Sequence, residues 1–282
     1  SNINNVATFK PSYSLADRVR SFVKVQDGCD YNCSFCTIPM ARGKSRSASI
    51  DEIIDLTGVL RTKGFNEIVL SGINLGDFGK GTDKSCYDLL KTLDSISKIP
   101  RIRISSIEPN LLTVEIIDLL SKSNKFMPHL HIPLQSGSDK ILRLMRRRYS
   151  TSDYFQIINK VKKYLPNSCI GIDTIVGFPT ETDYDFNQTY DMLNHLDISY
   201  LHVFSYSERK NTEAKKIFPK VAPDIITNRR NKLTLLSKYK YNKFIKNNID
   251  NNFNILFEKY DDGLLSGWTD NYIRVLVKGN RN

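Results

Sequence analysis

The sequence predicts an α/β protein organised around parallel strands, and three observations carry that reading. A strand-like stretch followed by a helix-like one recurs six times. The helix-like stretches begin at Ser, Thr or Asp caps and repeat apolar residues three or four apart. The unusual polar and Gly-rich stretches fall after the strands, at the end where β/α barrels gather functional residues. Strict alternation implies parallel strands joined by right-handed crossovers. Six units are too few for a closed eight-fold barrel, which leaves an open partial barrel or a doubly wound sheet.

The strands are expected at 21–26 (SFVKVQ), 67–72 (EIVLSG), 102–106 (IRISS), 128–132 (PHLHI), 169–177 (CIGIDTIVG) and 200–204 (YLHVF). Among the helices, SIDEIIDLTGVLRTKG is capped by Ser49 or Asp51 and stopped by Gly64. TVEIIDLLSKS, SDKILRLMRRR, TSDYFQIINKVKKYL and TDYDFNQTYDMLNHL supply others. Beyond Pro223 a long basic helix follows, with eight Lys/Arg against two Asp in residues 220–250. From Phe253, short strands joined by turns at Asp262-Gly263 and Thr269-Asp270-Asn271 read as the beginning of a small β-barrel. The expected division is a linker opening on a tag remnant at residues 1–20, an α/β core at 21–222, a basic helix at 223–250 and the start of a β domain at 251–282.

The 282 residues are 40% hydrophobic and 25% charged, an ordinary globular composition that excludes fibrous and disordered classes. No apolar run approaches the roughly 18 residues of a membrane-spanning helix. The opening SNINNVATFK has neither a basic n-region nor an apolar h-region, so the cytoplasm is the expected location. An excess of 41 Lys+Arg over 30 Asp+Glu gives a net charge of +11, which suits a polyanion such as nucleic acid or a merely solvated basic surface. Five cysteines, odd and sparse, argue against a disulfide framework and for reduced thiols in metal or redox chemistry.

Cys29, Cys33 and Cys36 follow the first strand in the spacing C-x3-C-x2-C, with Phe35 before the third. Three thiolates in so short a loop can wrap one metal centre. Structural zinc takes four protein ligands, and the next candidates are distant, at Cys86 and His129. A 4Fe-4S cubane held by three cysteines leaves one iron open to a substrate or cofactor. Cys86 and Cys169 read as bystanders. His129 and His131 read as alternating along a strand toward opposite faces, structural rather than metal-binding.

This loop resembles that of the radical S-adenosylmethionine (SAM) superfamily. The resemblance implies an open iron that chelates the amino and carboxylate groups of SAM, and reductive cleavage to a deoxyadenosyl radical that abstracts hydrogen. CTIPMARGKSRS, SGINLG, ISSIEP, HIPLQSGSD, LMRRRYS, GIDTIVGFPTET and YSERKNT together resemble the methylthiotransferase branch, over essentially the whole chain. ARGKSRS and FSYSERKNT are similar to the enzymes that methylthiolate threonylcarbamoyladenosine beside the tRNA anticodon. Asn211 stands where that subgroup has Gly, and Arg209 where ribosomal-protein-modifying relatives carry an acid.

The resemblance implies a partial (β/α)6 barrel with a truncated C-terminal β-barrel of the RNA-gripping TRAM type. Cys29, Cys33 and Cys36 would ligate the cluster, and Gly72 would meet the SAM amino group. Ser106 and Glu108 would lie near its ribose or methionine end, Arg147 would pair with a carboxylate, and Asp173, Gly177 and the backbone around Phe204 would border the nucleoside. No residue is singled out as catalytic. Each position also has a plainer reading: Gly72 as a turn glycine, Glu108 as a surface carboxylate and Arg147 as one solvated cation among several. Asp173 stands apart, because an unpaired acid inside an apolar strand is costly.

The family implies an N-terminal domain with a second, auxiliary 4Fe-4S cluster, and this chain is expected to be a fragment lacking it. The implied partners are the tRNA anticodon loop, met by the basic helix with Arg143, Arg146 and Arg148, and a reductant protein such as a flavodoxin or ferredoxin, with no membrane. Two other functions fit the residues: methylthiolation of a ribosomal-protein aspartate, and a non-catalytic zinc-containing RNA-binding module.

Overall fold

The computed structural model describes residues 8–14 and 19–279. Strand β1 (Ser12–Tyr13) pairs antiparallel with β2 (Arg20–Lys24) at the sheet edge. Residues 12–13 and 20 therefore belong to the core sheet and not to a linker, because the pairing covers backbone that the edge of β2 would otherwise expose. The proposed tag remnant lies outside the described residues. A short antiparallel pair, β3 (Gln26–Asp27) and β4 (Arg46–Ser47), closes the base of the cysteine loop around α1 (Ile38–Arg42).

Strands β2, β5 (Glu67–Ser71) and β6 (Arg101–Ile104) are parallel neighbours. So are β7 (His129–His131), β8 (Cys169–Val176) and β9 (Tyr200–Ser205). A parallel bridge between Ser106 and His131 and the bond from Ile107 N–H to His131 C=O (3.1 Å) join the two halves. The result is one arc of six parallel strands, a partial barrel rather than a doubly wound sheet. Its core is continuous from Val23 through Leu236 and packs the strands' outer faces against the crossover helices.

The helices start where the caps predict. Ser49 closes a capping box with Glu52 on α2 (Ile50–Thr62), and Gly64 turns the chain at φ 87°. Equivalent boxes open α3 (Cys86–Ile96), α6 (Thr151–Tyr164) and α7 (Asp183–His195), and Thr113 caps α4 (Val114–Lys122). Helix α5 (Asp139–Leu144) is shorter than its sequence pattern suggests. Arg146 takes φ 59°, its N–H bonds Arg143 C=O and the Arg147 N–H bonds Leu142 C=O, a Schellman stop that turns Arg147 inward.

Helix α8 (Pro223–Asn247) covers the free edge of β9, where Ser237 Oγ both donates to Leu201 C=O and accepts its N–H. Strands β10 (Ile255–Asp261), β11 (Leu264–Thr269) and β12 (Arg274–Lys278) form an antiparallel sheet, with Asp262-Gly263 as the first turn. This sheet seals the N-terminal end of the barrel. Buried Glu67 gathers Arg20, Arg101 and Arg103, and Arg103 donates onward to the carbonyls of Thr269 and Asp270, both at 2.9 Å. Tyr272 stacks on His129 with ring centroids 4.1 Å apart. Among the described residues, no helix is long and apolar enough to cross a membrane.

Candidate functional site

The cysteine loop is fixed from several sides. Gly28 takes φ 71°, and a Cβ there would lie 2.0 Å from Lys44 O, so only glycine lets the two arms of the loop meet. Ser34 caps α5, donating its N–H to Met145 C=O (3.1 Å) and its Oγ–H to Leu144 C=O (2.7 Å), while its own C=O accepts the Ala214 N–H (2.8 Å). Each thiol sulfur then receives one N–H: Tyr31 to Cys29 (3.4 Å), Arg147 Nη1 to Cys33 (3.3 Å) and Ile38 to Cys36 (3.4 Å). Donors aimed at all three sulfurs suit thiolates carrying negative charge, and hydrogen bonds to sulfur are a usual feature of iron–sulfur ligation. As free thiols two of them would be hard to ionise: burial pushes Cys29 up to about 11 and raises Cys33 as well. A bound metal centre removes that obstacle. Cys86 and Cys169 are deep in the core and pushed by burial to about 12, as inert thiols should be.

Beside Cys33, Arg147 pairs with Glu108 and donates to Tyr149 Oη, whose own O–H reaches the carbonyls of Pro133 and Leu134. Arg147 does face a carboxylate, one supplied by the protein. Arg143, Arg146 and Arg148 point outward, and Arg148 lies over the Tyr31 ring at 3.9 Å. At Gly72 the neighbour is Gln26: a Cβ would come within 2.8 Å of its Oε1, which accepts the Asn74 N–H. Gln26 also donates to Gly28 C=O at 2.8 Å, so one buried amide ties the cysteine loop to the loop after β5. Nothing in the sequence pattern marked it.

Gly177 takes φ 77° and gives its N–H to Glu181 Oε2 (2.7 Å), while Ile226 of α8 fills the space of its missing side chain. Arg229 of α8 pairs with Glu181 and Asp183 at 2.7 and 2.8 Å. The basic helix is thus anchored at the loop after β8. Of its cations, Arg229 and Lys240 are buried, Lys240 holding carbonyls of Asn194 and Leu196; Arg230, Lys232, Lys238, Lys243 and Lys246 face outward.

Inside the barrel the structure corrects one expectation. His129 and His131 share a face, as residues two apart on a strand must, and both point into the lumen. Asp173 is paired: it accepts from His131 Nε2 at 3.0 Å and lies 3.3 Å from His202 Nδ1. Burial works to raise its carboxyl, yet the two imidazole hydrogen bonds prevail and hold it at about 2. Ser106 bonds the other nitrogen of His131, at 2.5 Å, and Phe204 stands above His202 with half its surface exposed. The period-two rows Gly171, Asp173, Ile175 and Tyr200, His202, Phe204 would have revealed this lining from sequence.

The chain is 40% identical over 261 residues to the threonylcarbamoyladenosine tRNA methylthiotransferase MtaB of Aquifex aeolicus, covering 93% of this chain and 63% of that protein. The protein of the same name from Bacillus subtilis is 38% identical, covering 95% and 61%. The tRNA-2-methylthio-N(6)-dimethylallyladenosine synthase of Staphylococcus saprophyticus is 32% identical, covering 89% and 50%. The chain therefore spans between half and two thirds of these relatives. Among solved structures, the radical S-adenosylmethionine methyltransferase TsrM of Kitasatospora setae shares the fold with a TM-score of 0.55 at 15% identity, over 65% of this chain and 36% of that one. Coproporphyrinogen III oxidase of Escherichia coli does so at 0.52 and 19%, over 80% and 52%. The family model described as the radical SAM superfamily matches residues 23–193, from the first parallel strand through α7, and the chain belongs to that superfamily.

Proposed function

We propose that this chain is the catalytic core of a tRNA methylthiotransferase acting on N6-threonylcarbamoyladenosine beside the anticodon. The observation that carries it is the set of three thiols at the barrel mouth, each receiving an N–H donor. A 4Fe-4S cluster bound there, with SAM, supplies reductive radical chemistry at an unreactive C–H bond. Cys29, Cys33 and Cys36 hold it. Arg147 and Glu108 line the wall beside Cys33, Gly72 and Ser106 stand at neighbouring strand ends, and Asp173, Gly177 and Phe204 border the nucleoside. The exposed cations of α8 with Arg143, Arg146 and Arg148 neutralise RNA phosphates, and residues 251–282 belong to a TRAM-like RNA-binding domain. The full protein adds an auxiliary cluster and draws electrons from a flavodoxin or ferredoxin in the cytoplasm.

Anaerobic reconstitution with iron and sulfide tests this reading. A brown protein that cleaves SAM only with reductant is expected, and Cys33→Ala abolishes the cleavage. A colourless protein holding one zinc would support the non-catalytic alternative instead. The chain alone is expected to cleave SAM without inserting sulfur, so methylthio-adenosine made by it unaided would contradict the division of labour. Loss of the methylthio nucleoside from tRNA of a deletion strain separates an RNA substrate from a ribosomal protein.

A further inference from the structure

The lumen below the cysteine loop is polar at the level where a hydrophobic barrel core would be expected. His131, Asp173 and His202, on three adjacent strands, bring one ligand atom each to within 4.8 Å of the others. The protonation pattern follows from chemistry. An ionised carboxylate only accepts, so His131 Nε2 and His202 Nδ1, which face Asp173 Oδ1, both carry hydrogen. Ser106 then donates to His131 Nδ1 and completes that ring's bonding. In this arrangement His202 Nε2 and Asp173 Oδ2 make no hydrogen bond to the described residues; Oδ2 is an acceptor, and so is Nε2 in the neutral imidazole.

These acceptors are reachable. The His202 side chain is 54% exposed and that of Asp173 21%. A cleft of about 310 Å³, lined by Tyr200, His202, Tyr241, Trp268 and Tyr272 among others, reaches His202 from the β9 side. Phe204, next on the same face, offers a half-exposed ring for a base to stack on.

We propose that Asp173 and His202, braced by His131 and Ser106, form the specificity site that reads hydrogen-bond donors on the N6 substituent of the target adenosine. This rests on the methylthiotransferase reading above and deepens it. The two kinds of similar tRNA-modifying relatives differ in that substituent: a threonylcarbamoyl group carries two donors, a carbamoyl N–H and a hydroxyl, beside a carboxylate that must point away from the Asp173 charge, whereas a dimethylallyl group carries no donor. A prenyl group placed here would strip water from Asp173 and His202 and return nothing, and a site built to hydrogen-bond its substrate rejects the analogue that cannot. His202 and Asp173 touch the substrate; His131 and Ser106 are positioning residues.

The test uses the full-length protein with reconstituted clusters and three anticodon stem-loop RNAs bearing threonylcarbamoyl, dimethylallyl or unmodified adenosine at the target. The wild type is expected to bind and methylthiolate the first in preference. His202→Phe is expected to weaken binding of that RNA by about ten- to a hundredfold while its affinity for the other two stays the same. His202→Gln, which keeps an acceptor, is expected to recover part of the loss, and iron content reports whether each variant folds. Methylthiolation of the dimethylallyl RNA as readily as the first overturns the inference and leaves methylthiolation standing. An equal loss on all three RNAs in His202→Phe also overturns it. Failure to bind or modify any of them overturns both readings.

Discussion

Thr180 holds φ 69° in the loop after β8, a conformation that β-branched residues resist, and its buried Oγ1 finds no partner among the described residues. Thr180→Gly should therefore raise stability by about 1 kcal/mol, net of glycine's entropy, which a denaturant midpoint would register. Asn211 sits at φ 63°, and Asn is among the few non-glycine residues that tolerate that region. His129 makes a different prediction. Burial, aided by the Arg103 charge, holds its imidazole well below its ordinary value. Below pH 6.5 the unfolded chain binds a proton that the folded one refuses, so stability falls on acidification by up to about 1.4 kcal/mol per pH unit. Urea melts at pH 7 and pH 5.5 should show that fall, and His129→Gln should flatten it. A slope unchanged in the variant would assign the acid sensitivity to another group.

At the scale of elements, the caps and the anchors do separable work. Ser49 Oγ accepts the Glu52 N–H and the Ser49 N–H donates to the Glu52 carboxylate in return, so Ser49→Ala should cost about 1 kcal/mol by thermal melting. The anchor of α8 is deeper. Removing the Arg229 side chain leaves the Glu181 carboxylate buried without its cation, and Arg229→Ala should cost about 3 kcal/mol. Because Glu181 also holds the Gly177 N–H, the same variant is expected to loosen the loop after β8, seen as faster amide exchange at Gly177. Protection there equal to the wild type would mean that the loop keeps its shape without α8. The strand and helix positions were legible because apolar period and cap chemistry are local properties. The early stop of α5 was not, since Arg146 carries no glycine signal and its left-handed turn is stabilised by the contacts that Arg147 makes across the barrel mouth.

For the molecule as a whole, the β10–β12 sheet is part of the barrel's closure. Carbonyls at the end of β11 and in the turn after it satisfy Arg101 and Arg103, and Asn271 donates to Asn167 C=O and Asn248 Oδ1. Ending the chain at residue 250 would leave buried guanidinium groups without those acceptors. The melting temperature of the barrel should fall; an unchanged one would make the sheet an independent appendage. The sheet closes one end of the barrel and the cysteines open the other, with α8 running between them along β9. The exposed lysines of α8 lie on that side of the molecule.

The sequence by itself determined the parallel α/β alternation, the three-cysteine loop, the basic helix and the turns of the final sheet. Each depends on neighbours within a few residues: a period, a cap, a spacing. What the tertiary structure decided depends on residues far apart in the chain. It brought Arg147 onto Cys33, set the final sheet under the barrel, and turned His131, Asp173 and His202 toward one another across three strands. Those contacts arise from strand register and barrel curvature. A lone acid in an apolar strand therefore looked anomalous in sequence, and across the lumen it has two imidazole partners.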